Sequence, residues 1–196
     1  MEKKELWFKP NQNTNGINVS RKKRLLWRLV DQYLFKPSPN ILRPWRVWLL
    51  RLFGAKIGNN CYISQRATIY SPWKLRMGSF CSIDDYCTII SEVQLGDYVS
   101  IGIHANLIAG GHDVFSRGFE TTGRTIFVGN GAFIGAGSYI GAGVKIGQMA
   151  VIGAHSYIVK DVCENTITTM MPMKTISCRR LKTEEYEKYR YNYIED

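Results

Sequence analysis

The chain has no apolar run long enough to span a bilayer. Its longest apolar stretches near the start, Leu25-Leu26-Trp27 and Val47-Trp48-Leu49-Leu50, are interrupted by arginines. Nothing in it resembles a secretory leader, so a cytoplasmic location is expected. Cysteine is sparse and odd in number, at five, with no C-x-x-C pair. In a reducing compartment that argues against a disulfide framework, and the spacings form no cysteine zinc motif. Acidic residues are scarce where basic ones are dense. Residues 21–56 hold ten Lys or Arg against the single acid Asp31, which is +9 of the chain's formal +10. At 196 residues, one domain with terminal appendages is expected.

What the chain has is a six-residue beat. Val128, Ile134, Ile140, Ile146, Ile152 and Ile158 keep one register. Met77, Ile83, Ile89, Leu95, Ile101 and Leu107 keep it upstream, and Ile57, Ile63, Ile69 and Leu75 precede them with a two-residue slip at Met77. Six is neither a helical period nor a long alternation, so it marks a repeat architecture. Four residues after each aliphatic comes a second inward position, mostly small: Cys61, Ala67, Cys81, Cys87, Val93, Val99, Ala105, Ala132, Ser138, Val144, Ala150 and Ser156. Positions four and six of each unit share one strand face, and the Gly- or Asn-bearing positions that follow turn the chain. Three units close a triangular coil. The expected fold is an all-β solenoid, a parallel β-helix of about five coils whose ends need caps. Cys61, Cys81 and Cys87 then read as core fillers.

The basic segment 21–56 interleaves its charges with Trp27, Leu29, Phe35, Trp45, Trp48 and Leu52. It reads as two amphipathic helices, near 20–35 and 43–53, broken by Pro37 and Pro39. Either they only cap the first coil, or their basic, Trp-bearing surface also meets an anionic membrane or a lipid-pyrophosphate acceptor. No nucleic-acid module accompanies the charge, so a nucleic-acid partner is not expected.

Between Leu107 and Val128 the register is lost for twenty-one residues, against six for one unit. The interruption holds Gly110, Gly111, His112, Asp113, Phe115, Arg117, Phe119, Glu120 and Arg124. A solenoid tolerates an insertion at a corner, and such insertions are often functional. Two glycines beside His112 let it project from the coil.

Units such as I-G-N-N-C-Y, L-G-D-Y-V-S, I-G-A-G-S-Y and I-G-Q-M-A-V resemble those of the left-handed β-helix, or hexapeptide-repeat, acyltransferases, across residues 57–176. The resemblance implies the left hand, which period alone leaves open. It divides the chain into an N-terminal basic arm (1–55), the β-helix (56–176) with a loop insertion at 110–125, and a polar C-terminal extension (177–196). Leu107-Ile108-Ala109-Gly110-Gly111-His112 matches the family stretch that carries the catalytic histidine. His112 is therefore the expected general base: imidazole titrates near working pH, takes the acceptor proton and returns it to the leaving thiolate. Asp113 either orients His112 or begins the next turn. The resemblance further implies acetyl-CoA as co-substrate, laid along the C-terminal coils. Ala136 and Ala154 leave room for its pantetheine arm, and Phe133 stands where relatives pack a Trp. Lys160, in Ile158-Val159-Lys160-Asp161, faces the nucleotide phosphates or solvent. Lys174 belongs to Met171-Pro172-Met173-Lys174, which keeps the proline and base of the family cap without its Gly-Asn.

Acceptor contacts are expected at Asp84, Asp85 and Ser91, in a chain that lacks the Asn relatives often use there. The main alternative enzyme on this fold binds zinc through three histidines, two about five apart. The spacings among His104, His112 and His155 are 8 and 43, so no metal is expected. The approach R-P-W-R-V-W-L-L-R-L-F-G-A-K-I-G at 43–58, with Ser71-Pro72-Trp73 and Gly111-His112-Asp113, resembles the colanic-acid-type O-acetyltransferases of exopolysaccharide biosynthesis. That implies transfer to a hydroxyl of a sugar or lipid-linked glycan, and a homotrimer with sites shared between subunits. The alternatives are another O- or N-acyltransferase of this fold, or a solenoid that only binds.

Overall fold

The computed structural model describes residues 19–112, 121–169 and, for the backbone alone, 174–178. Helix α1 (Arg21–Val30) opens at Ser20, whose hydroxyl accepts from the Lys23 amide, and runs on as a π turn, Asp31–Phe35. Pro37 and Pro39 then break the chain, and a short 3₁₀ turn leads into α2 (Arg43–Leu52).

The solenoid follows. Its first coil is β1 (Lys56–Ile57), β2 (Tyr62–Ile63) and β3 (Thr68–Ile69). The second is β4 (Leu75–Met77), β5 (Ser82–Ile83) and β6 (Thr88–Ile90). The third is β7 (Val93–Leu95), β8 (Ser100–Ile101) and β9 (Asn106–Ile108). A hairpin of β10 (Gly110–His112) and β11 (Thr121–Gly123) intervenes. The fourth coil is β12 (Ile126–Val128), β13 (Phe133–Ile134) and β14 (Tyr139–Ile140). The fifth is β15 (Lys145–Ile146), β16 (Val151–Ile152) and β17 (Tyr157–Ile158). Val162 and β18 (Thr166–Thr169) begin a sixth, and β19 (Lys174–Cys178) closes it antiparallel to β18.

Like strands stack in parallel into three faces: β1-β4-β7-β12-β15, β2-β5-β8-β13-β16-β18 and β3-β6-β9-β14-β17. The expected coil count of about five is corrected to about six. The last turn escaped the six-residue register because Thr168 stacks on Ile152, sixteen residues back instead of eighteen.

Every aliphatic of the register, from Ile57 to Ile158, is buried. Each fully buried one contributes roughly 1.5–3 kcal/mol. The slip at Met77 has a cause: a 3₁₀ turn, Pro72–Lys74, lengthens that corner, so Ile57 pairs with Met77 twenty residues on. Cys81 and Cys87 are core fillers as expected. Cys61 is only half-buried, since its coil is the first and has a neighbour on one side alone.

The coils stack closely enough to require glycine at their corners. A β-carbon on Gly135 would lie 2.5 Å from the Ala154 nitrogen and 2.6 Å from the Ile152 oxygen.

The first coil exposes a carbonyl edge on all three faces, and the helices close each one. Arg51 Nη2 donates to Ile57 O at 2.8 Å and Gly58 O at 2.7 Å on the first face. Arg46 Nε donates to Ile63 O at 2.7 Å on the second. Trp27 Nε1 donates to Ile69 O at 2.8 Å on the third. Three side chains thus satisfy acceptors that a solenoid end otherwise leaves open.

Candidate active site

The hairpin leaves the solenoid where the third face turns back to the first. Stacked positions there advance eighteen residues from the second coil to the third, Leu95 being paired with Met77, but thirty-three from Leu95 to Val128. The hairpin therefore inserts fifteen residues. It is footed on the second coil: Ala109 N donates to Ile90 O at 3.0 Å and Ile126 N to Glu92 O at 3.1 Å, either side of Ser91. Arg124 N closes the foot on Ala109 O at 3.0 Å. Within the ladder Gly110 faces Gly123, Gly111 faces Thr122 and His112 faces Thr121.

His112 stands exposed at the outer end of β10. Ser91 lies beneath the base, in left-handed backbone at φ 70°. A β-carbon at Gly110 would come within 3.7 Å of Ser91 Cβ, and one at Gly123 within 3.6 Å of its Oγ. The base of the hairpin thus lies directly over Ser91. Asp113 and the residues to Glu120 lie outside the described residues, so the roles considered for Asp113 find no structural account.

Asp84 and Asp85 belong to the same coil as Ser91 but to a different corner, where the second face meets the third. One side of the triangle, at most about 20 Å of strand, separates them from Ser91. Their environments differ. Burial raises the Asp84 carboxyl above its ordinary value, and the neighbouring Asp85 charge adds to this. Asp85 is held below the usual carboxylate range, first by the Ser64 hydroxyl and then by Arg66. Ser64 Oγ donates to Asp85 Oδ1, and Arg66 Nη1 donates to Oδ2 at 2.8 Å. Asp85 is thereby occupied within the chain. Among the described residues, nothing donates a hydrogen bond to the Asp84 carboxylate.

This corner also carries a column that the sequence reading missed. The Arg66 guanidinium lies 5.5 Å from the Tyr86 ring centre, and Tyr86 stacks on His104 at 4.8 Å. Tyr86 and His104 both adopt positive φ, at 60° and 59°. Bulky residues rarely do so, and their place at the third position of a unit was the available signal. The column continues with Gly137, whose added β-carbon would lie 2.5 Å from His155 Nδ1, and with His155. Ala136 and Ala154 come one residue before these at the same corner, with His155 N donating to Ala136 O at 2.7 Å.

Phe133 points outward from the second face, 42% exposed, beside Ser100 and Val151. Lys160 is exposed at the corner of Ser91 and the hairpin, not at the corner of Ala136 and Ala154. Lys174 opens β19, facing Thr169 across the ladder, while Met171, Pro172 and Met173 lie outside the described residues. Seven of the nine candidate residues therefore form two groups on one chain, with Phe133 and Lys174 in neither. His112, Ser91 and Lys160 share one corner; Asp84, Asp85, Ala136 and Ala154 share another. Among the described residues, no three His, Cys, Asp or Glu side chains gather as a metal site.

The family described as "Bacterial transferase hexapeptide (six repeats)" matches residues 125–160. A curated Escherichia coli (strain K12) protein named "Putative colanic acid biosynthesis acetyltransferase WcaF" is 34% identical over 172 residues, 87% of this chain and 91% of its own. Among solved structures, a hexapeptide-repeat acetyltransferase of Vibrio cholerae superposes with a TM-score of 0.75 at 20% identity, covering 82% of this chain and 92% of the other. A galactoside acetyltransferase in complex with coenzyme A gives a TM-score of 0.74 at 24% identity, covering 92% and 90%.

Proposed function

The chain belongs to the hexapeptide-repeat acyltransferase family, and on that premise we propose that it moves an acetyl group from acetyl-CoA to a sugar hydroxyl, with His112 as general base. The observation that carries this reading is the hairpin. It is the only long departure from the coil register among the described residues; its base lies over Ser91 and its outer end carries an exposed imidazole, His112. The relative's name supports a surface-glycan acceptor, free or lipid-linked, and the solved acetyltransferase bound to coenzyme A supports the donor. A cytoplasmic site of action, where acetyl-CoA is available, belongs to the same proposal.

In this mechanism neutral His112 accepts the acceptor hydroxyl proton as its oxygen attacks the thioester carbonyl. A backbone N–H stabilises the tetrahedral oxyanion. The same proton passes from imidazolium to the departing thiolate, so no acyl-enzyme forms. Ser91 and Asp84 are the proposed acceptor contacts, with Asp85 holding the Asp84 corner in shape. The donor arm is proposed to run past Phe133, Ala136 and Ala154 toward Lys160 and Lys174.

The division of these residues between two corners supports a homotrimer. A second copy brings its Ala136–Ala154 corner against the hairpin, which one chain cannot do for itself.

His112→Ala is expected to lower thiol release from acetyl-CoA, in the presence of acceptor, by about 10²–10⁴-fold. His112 is exposed, so the variant should fold with the parent's circular-dichroism spectrum. Undiminished turnover in that variant would remove the mechanism and leave a solenoid that only binds.

A further inference from the structure

The two N-terminal helices carry more apolar surface than capping uses. Their inner side, with Trp27, Phe35, Val47, Leu49 and Leu50, is buried on the first coil. A second stripe on each faces away. On α1 and its π turn, Leu25, Leu29 and Tyr33 recur every four residues with Leu26 alongside, and all are at least half exposed, at 50, 55, 65 and 55%. Through the 3₁₀ turn and α2 run Ile41, Trp45, Trp48 and Leu52, at 86, 36, 51 and 62%. The stripes are joined: Trp45 Nε1 donates to Leu34 O at 3.3 Å and its ring stacks on Trp48 at 5.0 Å. A helix that is apolar on two sides has two partners, and the solenoid is only one.

The charges around the outer stripe have one sign. Arg21, Lys22, Arg24, Arg28 and Arg43 are exposed beside it. The one acid of the segment, Asp31, is already paired with Lys36 at 3.3 Å. By helical periodicity Arg21, Arg24 and Arg28 flank Leu25 and do not interrupt the Leu25–Leu29–Tyr33 line.

We infer that this cap docks on an anionic lipid bilayer. The leucines and tryptophans enter the headgroup–acyl boundary, and the arginines meet lipid phosphates. A second copy of the chain is the poorer occupant. Two such faces would oppose like charges, and the chain outside residues 21–56 carries a formal charge of +10 less +9, or +1, so no net negative charge draws the face onto it. Among the described residues no helix is long and apolar enough to cross a membrane, so the contact is with its surface. The inference is independent of acetyl transfer.

Flotation of the full chain with vesicles tests it, using phosphatidylcholine alone or mixed with phosphatidylglycerol. Partition onto the mixed vesicles should exceed that onto phosphatidylcholine by roughly 10-fold or more, and should fall as salt is raised. A Leu25→Glu/Leu29→Glu variant and, separately, an Arg24→Gln/Arg28→Gln variant should each lose about 10-fold while keeping the parent melting temperature. Equal partition onto both vesicles, or binding unchanged in both variants, overturns the proposal. So does a change of sedimenting mass in the leucine variant with vesicle binding intact, which would make the face a contact between copies.

Discussion

Asp84 and Asp85 are adjacent, and their surroundings push their carboxyls in opposite directions. Asp84 keeps its proton to higher pH when folded than when unfolded, because burial penalises its charge. The unfolded chain therefore releases that proton first, and stability falls as pH rises from the ordinary value through the folded one. Asp85 releases its proton more readily when folded, so its contribution is present at neutral pH and is lost as pH falls through its lowered value. Urea midpoints should accordingly rise for Asp84→Asn at pH 7 and fall for Asp85→Asn. Both differences should shrink toward about pH 3, where the unfolded carboxylates are mostly protonated. The same sign for both variants would refute this account. The burial of the register residues was legible because a strict period needs no tertiary information. Arg46, Arg51 and Trp27 were not legible as edge caps. Their acceptors lie 17, 6 and 42 residues away, and the first coil must be in place before any carbonyl waits for a donor. Arg46 is the extreme case: it is wholly buried, with its Nη1 on Ser38 Oγ and Pro39 O, both at 3.2 Å.

At the scale of elements, the hairpin is an insertion that the solenoid does not need. Removing residues 110–124 would join Ala109 to Thr125 and return Val128 to six residues beyond Leu107, the spacing of every regular unit. The second coil already makes this turn, from Ile89 to Leu95, without an insertion. Such a chain should fold with a circular-dichroism spectrum and melting temperature close to the parent's, within about 1–2 kcal/mol of stability, and should have no transfer activity. A chain that fails to fold would mean that the hairpin supports the fourth coil. Lost register located the insertion in the sequence, but its form as a two-stranded ladder was not legible. Gly110, Gly111 and Gly123 have poor strand propensity, and they pair because the corner brings them opposite each other. The two helices were legible from their breakers, Pro37 and Pro39. Their second apolar stripe was not, since a pattern of leucines does not say which of them the solenoid covers.

At the scale of the whole molecule, the two-corner arrangement makes a further prediction about assembly. His112→Ala chains and Ala154→Trp chains should each be inactive alone, the first without a base and the second with a blocked donor groove. Co-refolded, they should recover measurable activity, because some mixed sites pair an intact hairpin with an intact groove. Sedimentation should give three times the chain mass of 22.4 kDa. Silence of the mixture would place base and groove on one chain and contradict the shared site. By itself the sequence determined the stacked coils, the inward columns and the location of the interruption, because each follows from a local period in which near neighbours share one face. Only the tertiary structure decided which corner each candidate residue occupies, how the first coil's open edges are closed, and which apolar residues of the cap remain uncovered. Those depend on contacts between residues far apart along the chain, and no local pattern encodes them.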